Sequence, residues 1–149
     1  MTPVTKMIFV NLPVDDLAKS TAFYEAIGAT KNPQFSNDAT GNCLVFSDTI
    51  HVMLLTHDFF RTFTTKQIAD AHTTCQALLC ISRDNREAVD EIVKAASKDG
   101  KVDPCPTQDH GFMYGRSFED PDGHIWEVMW MDVEAMKKAM GQCDGAQAA

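Results

Sequence analysis

Phe118-Glu119-Asp120-Pro121-Asp122-Gly123-His124-Ile125-Trp126-Glu127 is the stretch on which the fold turns. Strand-forming residues flank Asp120-Pro121-Asp122-Gly123, whose members are turn formers for separate reasons. Pro presets φ, Asp bonds its own backbone, and Gly accepts positive φ. The segment reads as a hairpin of two strands, Gly111 to Glu119 and His124 to Met131, closed by a four-residue turn. An EF-hand calcium loop needs carboxylates at its first, third and fifth positions and Gly at the sixth, so this piece is too short for one. A four-residue loop sets Glu119 opposite His124, Phe118 opposite Ile125, Arg116 opposite Glu127 and Tyr114 opposite Met129. Cross-strand partners share a face, which leaves Trp126, Val128 and Trp130 on the other side, toward helices.

Upstream of the hairpin, Ala77 to Ser82 reads as a short strand and Asp84-Asn85 as the cap of a helix with Val89, Ile92, Val93 and Ala96 inward, closed by Gly100. The same plan stands about 70 residues earlier. Met7 to Leu12 is a strand, and Pro13-Val14-Asp15-Asp16 turns the chain with Asp15 or Asp16 as N-cap. Leu17, Phe23 and Ile27 mark a helix, and Gly28 sits where a left-handed C-cap belongs. Two strands follow, Asn42 to Phe46 and His51 to Thr56. The repeat predicts one domain over residues 1–141, with module one at 6–57, a linker at 58–74, module two at 75–131 and a C-terminal helix at 132–140. In the linker Phe59, Phe60 and Phe63 are expected to cap the core or to serve as a lid or dimer contact, and Lys66 to Ala71 to form a helix-like run. Gly141 should end the last helix, and the small, polar residues 142–149 should be disordered.

Bulk properties narrow the function classes. The chain has 149 residues, a net charge of −8 and a pI near 4.9. That leaves no basic stripe for a nucleic-acid backbone. No apolar run approaches the roughly 20 residues of a membrane span, and Met1 to Met7 lacks a basic stretch leading into an apolar core, so a cytoplasmic location is expected. Cys43, Cys75, Cys80, Cys105 and Cys143 are odd in number and form no CxxC pair, which suits reduced thiols. His72, Cys75 and Cys80 lack the second close ligand pair of a zinc site.

Two stretches carry a family likeness: Phe9-Val10-Asn11-Leu12-Pro13-Val14-Asp15-Asp16-Leu17, continuing through Ser20 to Phe23-Tyr24, and the hairpin segment Phe118 to Glu127. Together they resemble the vicinal oxygen chelate superfamily, which holds glyoxalase I, bleomycin-resistance proteins, fosfomycin-resistance enzymes and ring-cleaving dioxygenases. The resemblance spans Lys6 to about Met131. It implies an α+β fold of two βαβββ modules whose mixed sheets form a cup, and a homodimer. Metalloenzymes of the superfamily take ligands from the first and last strand of each module. Those positions fall here on Phe9, Leu54, Leu78 and Glu127, of which Glu127 alone keeps a donor. Asn11 and Cys80 lie near two of them, while His51 and His57, at odd spacing from Leu54, should face the other way. No metal and no other cofactor is expected, because a tightly held divalent ion needs about three protein donors.

The expected lining is Phe9, Asn11, Val52, Leu54, Leu78, Cys80, Phe112 and Met129, with Tyr114, Arg116 and Glu127 as the polar members and Arg116 paired to Glu127. Three readings follow. The chain binds a small, largely apolar molecule without metal, as in the bleomycin-resistance branch. Alternatively it is a glyoxalase-like lyase or isomerase with Glu127 as general base and Arg116 or Tyr114 stabilising negative charge. In the third it is an interaction module with a vestigial site. Lactoylglutathione lyase chemistry of the usual metal type is not expected.

Overall fold

Two runs of strand, helix and further strands, each helix started by an Asx side chain, organise the chain; the computed structural model describes residues 3–147. In the first run β1 (Ile8–Val14) leads to α1 (Leu17–Ala26), then β2 (Thr30–Asn32), β3 (Gly41–Val45) and β4 (Ile50–Thr56). Asp16 caps α1 by accepting a hydrogen bond from Lys19 N, and Gly28 takes the left-handed turn at φ +109°. After the short helix α2 (His57–Phe60), the second run comprises β5 (Leu79–Ser82), α3 (Arg86–Ala96), β6 (Lys101–Val102), β7 (Gln108–Asp109), β8 (Met113–Glu119) and β9 (Ile125–Met131). Asn85, not Asp84, caps α3, accepting from Ala88 N.

The first sheet has the order β1-β4-β3-β2 and the second β5-β9-β8-β6, with β7 also paired to β8. Each sheet pairs its first and last long strands in parallel and the rest antiparallel, so one topology occurs twice and the α+β class with two βαβββ modules holds. The chain divides into two compact units. One comprises residues up to Gln76 together with Asp120–His124, the other Ala77–Glu119 together with the residues from Ile125 onward. The hairpin turn of the second module thus clusters with the first unit.

In the first unit Leu12, Val14, Val52, Leu54 and Leu44 lie under α1, which buries Leu17, Phe23 and Tyr24 against them. In the second, α3 buries Val89, Ile92, Val93 and Ala96 over Ile81, Phe118, Trp126 and Val128. Three sequence expectations fail. The first strand runs through Pro13 to Val14, since β1 is an edge strand and Pro costs no ladder bond there. Lys66 to Ala71 is not helical, and α2 instead covers only His57–Phe60. The final helix, α4 (Val133–Gln147), continues through Gly141 over positions where disorder was expected; residues 148 and 149 lie outside the described residues.

Candidate functional site

The hairpin turn sets the register of everything around Glu127. Glu119 pairs with Ile125, so the loop holds five residues, Asp120 to His124. The reason lies in Asp120. Its Oδ1 accepts from the backbone N–H of Asp122 and of His124, both at 2.9 Å, and its backbone N–H donates to His124 O at 3.0 Å. Those bonds draw His124 into the loop. The predicted pairing is therefore wrong by one residue: Ser117, not Arg116, stands opposite Glu127, and Gly115, not Tyr114, opposite Met129.

One residue of slip moves side chains to the other face. Arg116 and Tyr114 join Phe118, Trp126 and Val128 on the α3 side. There Arg116 Nε and Nη2 donate to the two oxygens of Asp103 at 3.1 and 2.6 Å, and Nη1 donates to Asp90 at 2.9 Å. Tyr114 OH donates to Asp90 at 2.7 Å, and the Arg86 guanidinium sits 4.4 Å above the Tyr114 ring. The Tyr114 bond, seconded by Arg116, holds the Asp90 carboxyl below the ordinary carboxylate range, and Arg116 does the same to Asp103. Hydrogen bonding to Asp90 pushes the Tyr114 phenol up. The predicted Arg116–Glu127 pair does not form. Instead Tyr114 and Arg116 tie α3 to β8 through Asp90, and Arg116 also ties down the loop before β7 through Asp103.

The helix-free face of the second sheet carries Cys80 beside Glu127, with Ser117, Gly115, Met113 and Met129 across the neighbouring strands. A cavity of about 220 Å³ opens on these residues and is closed on its far side by Cys105, Pro106 and Gln108. Ser117 is buried beneath that loop, its hydroxyl accepting from Cys105 N and donating to Cys105 O. Glu127 forms no hydrogen bond or ion pair among the described residues. The Cys80 thiol is pushed up, first by partial desolvation and then by the Glu127 carboxylate beside it.

In the first unit Phe9 and Asn11 lie on the face turned away from α1, but Val52 and Leu54 lie beneath α1 with no exposed surface. Leu54 therefore cannot line a cavity on the face that Phe9 occupies. The pairing Leu12↔Leu54 and Phe9↔His51 explains it. His51 shares the Phe9 face, stacked on that ring at 4.7 Å, where its odd spacing from Leu54 puts it. Leu78 precedes β5 and is 51% exposed. Phe112 stacks with His110 at 6.3 Å and is not part of the cavity wall.

Sequence reasoning missed a second hollow in the first unit, about 750 Å³, between residues 64–72 and the Pro13, Asp15, Asp122 and His124 corner. Its charges are largely spent. His57 Nε2 lies 3.1 Å from Asp15, Arg61 pairs with Asp58, and Asp122 accepts from Asp15 N and Ser20 Oγ. His124 Nε2 donates to Pro13 O, since a carbonyl only accepts. Hydrogen bonding along Asp120–His124 thus makes this region a structural joint. The smaller cavity, apolar with an unneutralised carboxylate, has the makings of a ligand site.

Comparison with known proteins accords with the topology. Among solved structures, a hypothetical protein from S. aureus is 25% identical and superimposes with a TM-score of 0.69, over 86% of this chain and 95% of that one. A glyoxalase/bleomycin resistance protein/dioxygenase family enzyme from Burkholderia phytofirmans is 17% identical, with a TM-score of 0.68 over 86% and 100% of the chains. The chain has the vicinal oxygen chelate fold. A lactoylglutathione lyase from Agrobacterium tumefaciens also matches, at 18% identity and a TM-score of 0.60 over 87% and 96%. The bleomycin resistance protein-like N-terminal family model matches residues 6–39. No curated protein sequence matches significantly.

The divalent metal that this fold carries in its enzymes does not fit the residues present. On the second sheet the donors are Glu127 and a thiol held toward its protonated form, two where about three are needed. Among the described residues no three His, Cys, Asp or Glu side chains are grouped to hold an ion. Nor is any described helix long and apolar enough to cross a membrane.

Proposed function

We propose that the chain binds a small, largely apolar molecule on the helix-free face of its second sheet, without a metal. The observation that carries this is the 220 Å³ cavity, whose wall of Met113, Met129, Pro106 and bare Gly115 surrounds a single unneutralised carboxylate, Glu127. An apolar wall with few convergent polar groups is the usual make-up of a small-molecule pocket. The lyase or isomerase reading needs a group beside Glu127 to stabilise developing charge; Tyr114 points to the opposite face of β8, and Arg116, though it borders the cavity, has its guanidinium taken up there by Asp103 and Asp90. Binding is therefore the better supported reading. It takes the chain as a cytoplasmic homodimer, for which Phe63 after α2 and Val133 and Met140 on α4 offer exposed apolar surface.

Calorimetric titration with 2-phenylethanol tests it, using chelator-treated wild type and Gly115→Leu. A Cβ at Gly115 would meet only Val128 O at 3.6 Å and Met129 Cβ at 3.9 Å, ordinary contacts, so a leucine there fills the cavity without moving the backbone. Saturable binding by wild type and its loss in the variant are expected. Equal affinity in both proteins, or binding abolished by the chelator, would overturn the reading. Light scattering on the same sample should give twice the 16.5 kDa chain mass.

A further inference from the structure

Two charged residues border the second-sheet cavity, and only one of them is free to act on a ligand. The Arg116 guanidinium is engaged by Asp103 through two bonds and by Asp90 through a third, on the far face of the sheet. Glu127 has no partner among the described residues. We propose that the molecule bound here is a small organic cation, with a flat apolar body and one protonated nitrogen that pairs with Glu127. The proposal rests on the ligand-binding reading above and names its substrate class.

The walls favour such a ligand over the alternatives. The thioethers of Met113 and Met129 are polarisable surfaces suited to an aromatic ring edge or face, and Gly115 between them leaves bare backbone over which a flat body can lie. Cys80 supplies no competing cation and, with its thiol held toward the protonated form, no second anion. An anionic ligand would bring like charge to Glu127 in an apolar setting, and a neutral one would leave the carboxylate without a partner when water is displaced. A protonated nitrogen answers both. The net charge of −8 adds a field that raises the local concentration of cations rather than anions. Size sets the other limit. Pockets for drug-sized ligands run from about 300 Å³ upward, so 220 Å³ suits a single ring with a short chain.

Three probes with one ring and different heads separate the possibilities: 2-phenylethylamine, 2-phenylethanol and 3-phenylpropionate, titrated calorimetrically into the full chain. A hydrogen bond to a charged group should make the amine bind about tenfold or more tighter than the alcohol. The propionate should not bind. Glu127→Gln should abolish the preference for the amine over the alcohol, a ratio of two ligands in one protein that general destabilisation would not change. Equal binding of amine and alcohol by wild type, with both lost in Gly115→Leu, would overturn the cation while leaving the binding site in place. An amine preference that survives Glu127→Gln would overturn the assignment to this carboxylate. If neither amine nor alcohol binds in a Gly115-dependent way, the ligand-binding reading itself falls.

Discussion

Under α1 the first module places Ser20 and Thr21 in its buried helix face, and Thr21 accepts from the Asn42 side chain at 2.9 Å. Under α3 the second module buries only Val89, Ile92, Val93 and Ala96, and sets its charges at the margin, where Asp90 meets Tyr114 and Arg116. The faces turned away from α1 and α3 differ as well. In the first module Phe9 and His51 stack at one end, and Leu55 and Phe59 of α2 crowd Gly41 at the other. In the second, that face carries the cavity and Glu127. One topology therefore serves two ends: a joint in the first unit whose carboxyl groups are held by hydrogen bonds from hydroxyl and backbone groups, and a charge-pinned sheet with an open cavity in the second.

Breaking the joint should cost most. A Cβ on Gly123 would lie 2.8 Å from the Ala71 carbonyl atoms and from His72 N, backbone atoms that cannot swing aside, and its φ is +91°. Gly123→Ala is expected to destabilise by about 2–4 kcal/mol in urea unfolding. Gly28→Ala, at φ +109° with nothing within 4 Å, should cost only the backbone strain of about 1–2 kcal/mol. Equal losses would show that the approach of residues 71–72 to the turn contributes nothing.

A smaller effect is expected from the second module's network. Arg116→Ala leaves Asp103 and Asp90 without their cation, but both are partly solvated, so a loss of about 1–2 kcal/mol is expected. Double-mutant cycles should find Arg116 coupled to Asp103 and not to Glu127. Coupling to Glu127 would restore the four-residue register.

The smallest effect separates the two regions by the sign of their pH response. Burial raises the Asp120 carboxyl above its usual 3.8, the Tyr24 bond and His124 only partly opposing it. The folded state then binds the proton more readily than the unfolded one. Stability from Asp120 is full below 3.8 and is lost as pH rises through the folded value. Asp90 and Asp103 are held below 3.8, so their contribution is present above it and is lost as pH falls through their folded values. Unfolding followed across the acid range should show Asp120→Asn removing the decline on the alkaline side, and Asp103→Asn removing the loss on the acid side. The same slope change in both variants would erase the contrast.

How far the site could be read in advance depended on which residue carried the information. Asp16, Gly28 and the strand periodicities act within a few residues of themselves, and the duplicated plan followed from them. Cys80, Glu127 and Met129 were placed together because Glu127 and Met129 share a strand face and Cys80 pairs across to Glu127. Phe9 with Leu54, and Arg116 with Glu127, failed for one reason: each depended on a register, and a shift of one residue reverses a face.

The sequence by itself determined the duplicated run of strand, helix and further strands, the neighbourhood of each helix cap and the position of the turn, since local backbone preference and hydrophobic period need no distant partner. Tertiary structure decided the length of that turn. Asp120 holds two N–H groups through one oxygen and the Tyr24 hydroxyl, 2.6 Å away and 96 residues earlier, through the other. No local pattern announces that long-range bond. Which side of β8 faces the cavity, and so which residues attend Glu127, follows from the turn length it helps to fix.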